Sequence, residues 1–156
     1  RRRGKEQRMR CVIQRVSSAQ IGFEDGSAVA MAHGLLVLVG VECGDTGKDV
    51  DRSLRKILGL RIFEADDGRI DHSLMDVGGA LGLVPQFTLL ADTRRGRRPS
   101  FSSAAPPDQA ATLFDELVCA AGAAGIELIC GRFGARMRLE LVNEGPMTLL
   151  FDSRSA

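Results

Sequence analysis

The hydrophobic pattern divides most of the chain into segments with strand-like alternation. MRCVIQRVSSAQIGF, from Met9, alternates and is rich in β-branched residues, which predicts a strand or a hairpin. GLLVLVGVE, from Gly34 to Glu42, is a continuous apolar run of strand length and predicts a buried central strand. ALGLVPQFTLLAD predicts another strand, which carries Pro85, and IELICG, MRLELVN and PMTLLFD predict three strands that close the chain.

Two segments have helical periodicity instead. The first, GDTGKDVDRSLRKILGLRIF, begins with the cap-type residues Asp45 and Thr46, and the second begins at a proline and ends near Gly125. Apolar positions at helical spacing predict that one face of each helix packs on the sheet. These positions are Val50, Leu54, Ile57 and Leu58 in the first helix, and Leu113, Phe114, Leu117, Val118 and Ala121 in the second. The pattern predicts a single α+β domain, with a mostly antiparallel sheet or barrel-like core and two main helices.

Length and composition limit the number of domains and the class of protein. The 156 residues correspond to one domain, and no apolar run approaches the roughly 18 residues of a membrane span. We expect residues 1–8 to be a disordered basic tail, residues 9–152 to form the domain, and residues 153–156 to be a C-terminal tail. No apolar segment of a signal peptide follows the first charges, and a remnant of an arginine-rich transit peptide is the alternative interpretation of the tail.

The residue types exclude several classes of chemistry. The scattered cysteines argue against a CxxC zinc or redox site and a disulfide framework, and favour a reducing, cytoplasmic setting. These cysteines are Cys11, Cys43, Cys119 and Cys130. Motifs of nucleotide-binding loops and of serine hydrolases are missing, and His33 and His72 lie in loop-like segments without an obvious base or metal partner. We therefore expect no metal site and no cofactor.

Two stretches could contact a ligand. In PQFTL, polar Gln86 and Thr88 flank the large Phe87. The same pattern fits a half-buried strand with one solvent-exposed face. DTRRGRRPSF packs four arginines around a glycine, and cations this close repel each other unless an anion such as phosphate binds. A solvated loop is the alternative. The four cations are Arg94, Arg95, Arg97 and Arg98.

A third stretch, NEGPMT, places Gly145 and Pro146 between two strand-like runs, which predicts a turn. These three stretches, together with MRCVIQRVSSA, LLVLVGVE, KILGLRIF and SLMDVGG, resemble the D-aminoacyl-tRNA deacylase family from Met9 to about Asp152. Each motif alone is short, but their order and spacing make the combination specific. The resemblance implies a homodimeric, tRNA-binding enzyme with its active site at the dimer interface and no contact with membranes.

The implied activity is hydrolysis of the ester that joins a D-amino acid to the 3′ end of tRNA. Glycine mischarged on tRNA(Ala) is an implied second substrate, and the products are the free amino acid and tRNA. In the family, the Gly-Pro pair that matches Gly145 and Pro146 has a cis bond and reaches into the partner's pocket. Its carbonyl oxygens would exclude an L side chain, which makes the enzyme a chiral proofreader of translation.

The resemblance also assigns roles to individual residues. Backbone N–H groups of the strand that matches Gln86, Phe87 and Thr88 would stabilise the oxyanion, while the ribose 2′-hydroxyl assists the attacking water. Thr88 as a nucleophile is an alternative, although the sequence places no base near it. Arg15 would brace the Gly-Pro turn, and the arginine-rich stretch would contact tRNA phosphates. Phe133 and Met137 would hold the terminal adenine, and Pro85 and Asn143 are further pocket positions.

Pro85 departs from the family pattern, which usually has serine before Gln-Phe-Thr. Proline removes a backbone donor beside the expected oxyanion site and fixes φ. A related branch with relaxed chiral selectivity has proline there but lacks the phenylalanine that this chain retains as Phe87. Two alternatives therefore stay open: a paralogue with relaxed specificity, and a non-catalytic tRNA-binding module that uses the arginine-rich stretch.

Overall fold

The computed structural model describes residues 8–154, so the first seven residues of the tail predicted over residues 1–8, and the last two of the tail predicted over residues 153–156, lie outside the described part. The strands are β1 (Arg10–Phe23), β2 (Ala28–Met31), β3 (Gly34–Gly40), β4 (Phe63–Glu64), β5 (Ile70–His72), β6 (Ala80–Pro85), β7 (Leu128–Cys130) and β8 (Met137–Asp152). The helices are α1 (Gly47–Gly59), α2 (Leu74–Val77) and α3 (Pro107–Ala123), and Phe87–Leu90 form a 3₁₀ turn. No helix within residues 8–154 is long and apolar enough to cross a membrane.

The sheet is built around β1, which pairs antiparallel with β2, β3 and β8. β6 lies parallel to β3, and β7 lies parallel to β6, which gives the order β2-β1-β3-β6-β7 with β8 on β1. This mixed sheet curves into a nearly closed barrel, and β4 and β5 form a separate two-stranded sheet. The predicted α+β domain with a barrel-like sheet is confirmed.

Two hydrophobic cores lie on the two faces of the sheet, and β1 contributes to both. Its first half buries Cys11 and Ile13 in the core beneath the helices, and its second half buries Ala19 and Ile21 in the other core. The change occurs at register shifts around residues 14–18, where two consecutive residues, Arg15 and Val16, are buried. β8 follows the same course, with Leu149 and Phe151 against the first core and Leu139 and Leu141 against the second.

The two main helices begin and end as the sequence predicts. Thr46 caps α1 in a capping box with Asp49, and α3 has a proline in its first turn. The apolar face of each helix is buried or packs against the core beneath the helices. Local sequence therefore predicts α1 through its capping box and apolar period, and α3 through its proline and apolar period.

Two strand predictions are wrong. The strand expected through PQFTLL ends at Pro85, and the chain then forms the 3₁₀ turn, so Gln86, Phe87 and Thr88 are not in a strand. This turn lies directly over Gly40, where an added Cβ would come within 2.5 Å of Leu90 Cδ2. MRLELVN and PMTLLFD are two halves of one strand, β8, because β1 pairs with both of them.

A buried carboxyl group precedes α1. Asp45 is 2% exposed, and its Oδ2 accepts the N–H of Glu42 at 2.7 Å, while its Oδ1 has no hydrogen-bond partner within residues 8–154. Burial, followed by the nearby carboxylates of Asp49 and Glu42, raises the pKa of Asp45 to about 7. The folded state therefore favours the protonated form of this residue.

We expect Asp45→Asn to stabilise the fold more at high pH than at low pH. The raised pKa means that the contribution of Asp45 to stability is full below pH 3.8, its ordinary value, and is lost as the pH rises from there to about 7. Asparagine keeps an acceptor for the Glu42 N–H and never ionises. Denaturant unfolding at pH 5 and pH 8 should show that the advantage of the variant grows by about 1–3 kcal/mol. An advantage that stays constant with pH would contradict the buried-carboxyl assignment.

Candidate active site

The Gly-Pro stretch forms a bulge in the middle of β8. Gln14 pairs with Thr148 and Val16 pairs with Asn143, so residues 144–147 lie opposite Arg15 alone. The Gly145–Pro146 peptide bond is cis, as the resemblance implies. The Asn143 side chain, at one end of the bulge, joins it to Met147 at the other end. Its Oδ1 accepts the N–H of Met147 at 2.7 Å, and its Nδ2 donates to the Met147 carbonyl at 3.1 Å.

Arg15 holds this bulge against the body of the domain. Its side chain is buried, its Nε donates to the Glu144 carbonyl at 3.0 Å, and its Nη1 donates to the Ile62 carbonyl at 2.7 Å. Hydrogen bonds from a charged donor are stronger than those between neutral groups, and the planar guanidinium fixes the angle between its two acceptors. The orientation of the Glu144 carbonyl is therefore set by a rigid contact.

A cleft of about 230 Å³ opens beside the bulge. Its lining consists of Arg15, His33, Phe63, Glu64, Val77, Glu144 and Gly145. His33 Nε2 lies 3.8 Å from Glu144 Oε2, and its ring packs edge-on against Phe63 with centroids 5.1 Å apart. The sequence shows no obvious base or metal partner for His33, and the structure places the Glu144 carboxylate beside it. No local motif indicates this pair, because the bulge brings together residues that lie far apart in the chain.

The stretch Pro85 to Thr88 forms a second group at the end of β6. Gln86 donates its N–H to the Val39 carbonyl at 2.8 Å, so this donor is occupied. The N–H groups of Phe87 and Thr88 open the 3₁₀ turn, and neither has an acceptor within residues 8–154. The Thr88 hydroxyl accepts a hydrogen bond from the Gln86 side-chain amide, which is not a base.

Aromatic and thioether side chains surround this second group. Phe87 is 57% exposed, and its ring packs edge-on against Phe101 with centroids 5.1 Å apart. A Cβ on Gly131 would lie 2.9 Å from Met137 Sδ and 3.0 Å from Pro85 Cδ, which places Met137 and Pro85 side by side. Phe133, two residues beyond Gly131, is also exposed. Two of the pocket positions expected from the sequence, Pro85 and Met137, thus lie side by side, and Pro85 is two residues before the exposed Phe87.

The arginine-rich stretch forms a loop next to this second group. Asp92 and Ser100 exchange two backbone hydrogen bonds, of 2.7 and 2.9 Å, which close the loop at its base. Arg94 pairs with Asp92 at 2.6 Å, and this contact raises the pKa of Arg94. The other arginines of the loop are exposed and form no ion pair with any residue of the described part; they are Arg95, Arg97 and Arg98.

The structure separates the expected site into two half-sites. The bulge half-site consists of Arg15, Asn143, Gly145 and Pro146, and the turn half-site consists of Pro85 to Thr88, Phe133 and Met137. Within residues 8–154, no hydrogen bond, ion pair or ring contact joins Gly145 or Pro146 to Gln86, Phe87 or Thr88. Arg10 donates to the Leu89 carbonyl at 3.0 Å, so the turn lies beside the start of β1. The bulge lies opposite Arg15, about 17 Å further along that strand.

Comparison with known proteins identifies close relatives. Residues 12–152 match the family described as D-Tyr-tRNA(Tyr) deacylase. The D-aminoacyl-tRNA deacylase of Desulfatibacillum aliphaticivorans is 49% identical over 146 residues, which are 94% of this chain and 100% of that protein. The D-aminoacyl-tRNA deacylase of Roseiflexus castenholzii is 50% identical over 145 residues, which are 93% of this chain and 92% of that protein.

Solved structures share the fold. A c-Myc DNA unwinding element binding protein superposes with a TM-score of 0.87 at 32% identity and covers 94% of this chain and 99% of its own. A probable eukaryotic D-amino acid tRNA deacylase superposes with a TM-score of 0.82 at 20% identity, over 93% of this chain and 99% of its own. The second likeness, at this low identity, concerns the fold alone.

We expect Gly145→Ala to destabilise the domain by about 1–3 kcal/mol. Gly145 has φ +134°, and an added Cβ would lie 2.8 Å from Arg15 Nη2, so the buried guanidinium would have to move. The matched control is Gly26→Ala, because Gly26 also has positive φ, +85°, but an added Cβ would meet nothing within 4 Å. Denaturant unfolding of both variants separates backbone strain from the clash. Equal losses of stability would show that the Arg15 contact does not limit this position.

Proposed function

Because the chain belongs to the D-aminoacyl-tRNA deacylase family and is a hydrolase acting on ester bonds, we propose that it removes D-amino acids from the 3′ end of tRNA. The observation that carries the proposal is the match over residues 12–152, since it covers both half-sites. Within that match, the chain offers a fixed main-chain bulge and two unoccupied N–H groups rather than a side-chain nucleophile with its base.

The chemistry requires little from side chains. An aminoacyl ester is already activated, so a water molecule can attack it, assisted by the 2′-hydroxyl of the terminal ribose. The N–H groups of Phe87 and Thr88, which open the 3₁₀ turn, would donate to the developing oxyanion, and removal of one such donor typically costs about 2.7–4 kcal/mol of transition-state stabilisation. Thr88 has no base as a hydrogen-bond partner in residues 8–154, which disfavours its alternative role as the nucleophile.

Chiral selection is assigned to the bulge. Arg15 and Asn143 hold the main chain of residues 144–147 in one orientation, so its carbonyl oxygens form a rigid wall. An L side chain would collide with this wall, while a D side chain would point away from it. Glycine has only a hydrogen at that position and would pass, which makes glycyl-tRNA, including glycine mischarged on tRNA(Ala), a second substrate.

A complete site requires two copies of the chain. No hydrogen bond, ion pair or ring contact joins Gly145 or Pro146 to the 3₁₀ turn in the described part of the chain, so we assign the bulge of one protomer to the turn half-site of its partner. Apolar side chains on β8 support a homodimer, since Leu150 is 82% exposed and Val142 is 57% exposed. Surface of this kind is normally covered by a partner. A cytoplasmic location agrees with the proposed role in translation.

The remaining groups would position the tRNA. Phe133 and Met137 offer an apolar surface beside Pro85 on which the terminal adenine can lie. The cations of the arginine-rich loop are assigned to backbone phosphates, which orient a tRNA without reading its sequence. Both surfaces adjoin Phe87, so they would deliver the ester to the N–H groups of the 3₁₀ turn.

We expect the protein to hydrolyse D-aminoacyl-tRNA and glycyl-tRNA at least about 100-fold faster than L-aminoacyl-tRNA, because the bulge would exclude only the L side chain. Release of labelled amino acid from charged tRNA at micromolar enzyme measures all three rates. A chelator should have no effect, because the proposed chemistry uses main-chain N–H groups and the ribose 2′-hydroxyl and needs no metal ion. Salt-dependent tRNA binding without turnover would favour the non-catalytic binding module instead.

Pro85 is the feature that favours relaxed specificity, and Pro85→Ser should increase the ratio of D to L hydrolysis about tenfold. Serine returns an N–H to the residue that precedes Gln86 and frees its φ, so the turn half-site can hold the ester more tightly. The ratio of kcat/KM for the two substrates measures the effect. Pro106→Ser, the same chemical change before α3, is the control. An unchanged ratio in Pro85→Ser would remove this residue from the chiral selection.

A further inference from the structure

A second cationic surface lies between α1 and the end of β8. It is a groove of about 700 Å³ whose lining includes five basic side chains and no carboxylate. We call it the α1 groove and define it by Arg52, Arg55, Lys56, Arg61 and Arg154, with Phe151 in its wall. It is separate from the arginine-rich loop, and no residue is shared between the two.

The α1 groove carries an excess of positive charge. Arg61 pairs with Asp71, and Arg154 pairs with Asp49. The side chains of Arg52, Arg55 and Lys56 form no ion pair with any residue between 8 and 154 and are exposed. The negative end of the helix dipole accounts for Lys56, the basic residue in the last turn of α1, but not for Arg52 and Arg55, which lie further from that end. Such a concentration of unpaired cations attracts a polyanion.

The helix α1 holds the backbone of these cationic residues at fixed spacing. Residues 52, 55, 56 and 59 are spaced so that they share one side of a helix, while Ser53 and Ile57 are buried beneath. Gly59 contributes no side chain and leaves the groove open. Phe151 forms one wall, with Lys56 Nζ 5.7 Å from its ring centroid.

The α1 groove lies on the same side of the sheet as the bulge. Met147, Leu149 and Phe151 all pack against the core beneath the helices, the face to which Arg15 also belongs. From Met147 to Phe151 the strand advances four residues, or about 13 Å. A stacked nucleotide strand advances about 3.4 Å per phosphate, so this distance corresponds to about four nucleotides.

We propose that the α1 groove binds backbone phosphates of the tRNA acceptor arm, about four nucleotides from the terminal adenosine. This inference rests on the proposed function, and it assigns a second phosphate contact beyond the arginine-rich loop. The groove acts on binding and orientation, and it makes no contact with the ester.

The test is the double variant Arg55→Gln/Lys56→Gln, because neither side chain has a hydrogen bond within residues 8–154 and both are exposed. Two substrates are compared: a full D-aminoacyl-tRNA and the corresponding D-aminoacyl-adenosine, which is too short to reach the groove. The ratio of kcat/KM for the long substrate to that for the short one should fall about tenfold. The salt slope of tRNA binding should decrease by about 2, one unit for each lost phosphate contact.

The control is Lys48→Gln/Arg69→Gln, which removes the same charge at exposed positions outside the groove and should leave the ratio and the slope at wild-type values. Thermal unfolding confirms that both variants are folded. A ratio and a slope that match the wild type in Arg55→Gln/Lys56→Gln would overturn the inference. If the wild-type protein hydrolyses neither substrate, the proposed function fails, and the salt slope alone then decides whether the groove binds tRNA.

Discussion

The buried guanidinium of Arg15 is the contact on which the bulge depends. A buried charge is costly unless its hydrogen bonds are satisfied, and here two main-chain carbonyls, of Ile62 and Glu144, accept from it. One acceptor belongs to the layer that contains the helices, and the other belongs to β8. The side chain therefore joins the scaffold to the segment assigned to chiral selection, and it does so where β1 changes from one core to the other.

The parts of the fold that local chemistry determines could be predicted from the sequence. α1 has a capping box and a regular apolar period, α3 begins at a proline, and β3 is a continuous apolar run, so the sequence of each segment predicts its element. The 3₁₀ turn and the continuity of β8 could not be found in this way. Both depend on distant partners: Gly40 beneath the turn, and β1 along both halves of the last strand.

The candidate site shows the same limit. The resemblance predicts its residues, but their division into two half-sites depends on where β1 places Arg10 and Arg15. Local sequence also does not show that the N–H of Gln86 is hydrogen-bonded to the Val39 carbonyl. Only the N–H groups of Phe87 and Thr88 are therefore left for a ligand. The pairing of His33 with Glu144 likewise arises from the bulge rather than from any motif.

The pairing on both sides of the bulge also constrains how this region can evolve. The ladders that flank the bulge, with Val16 opposite Asn143 and Gln14 opposite Thr148, fix which face each half of β8 presents. A slip of one residue in the second half would turn Phe151 to solvent and Leu150 into the core. The bulge between these ladders is constrained by its own contacts, because the Asn143 side chain spans it to Met147 and position 145 leaves no room for a side chain. Its length is therefore expected to be invariant among relatives that retain this asparagine.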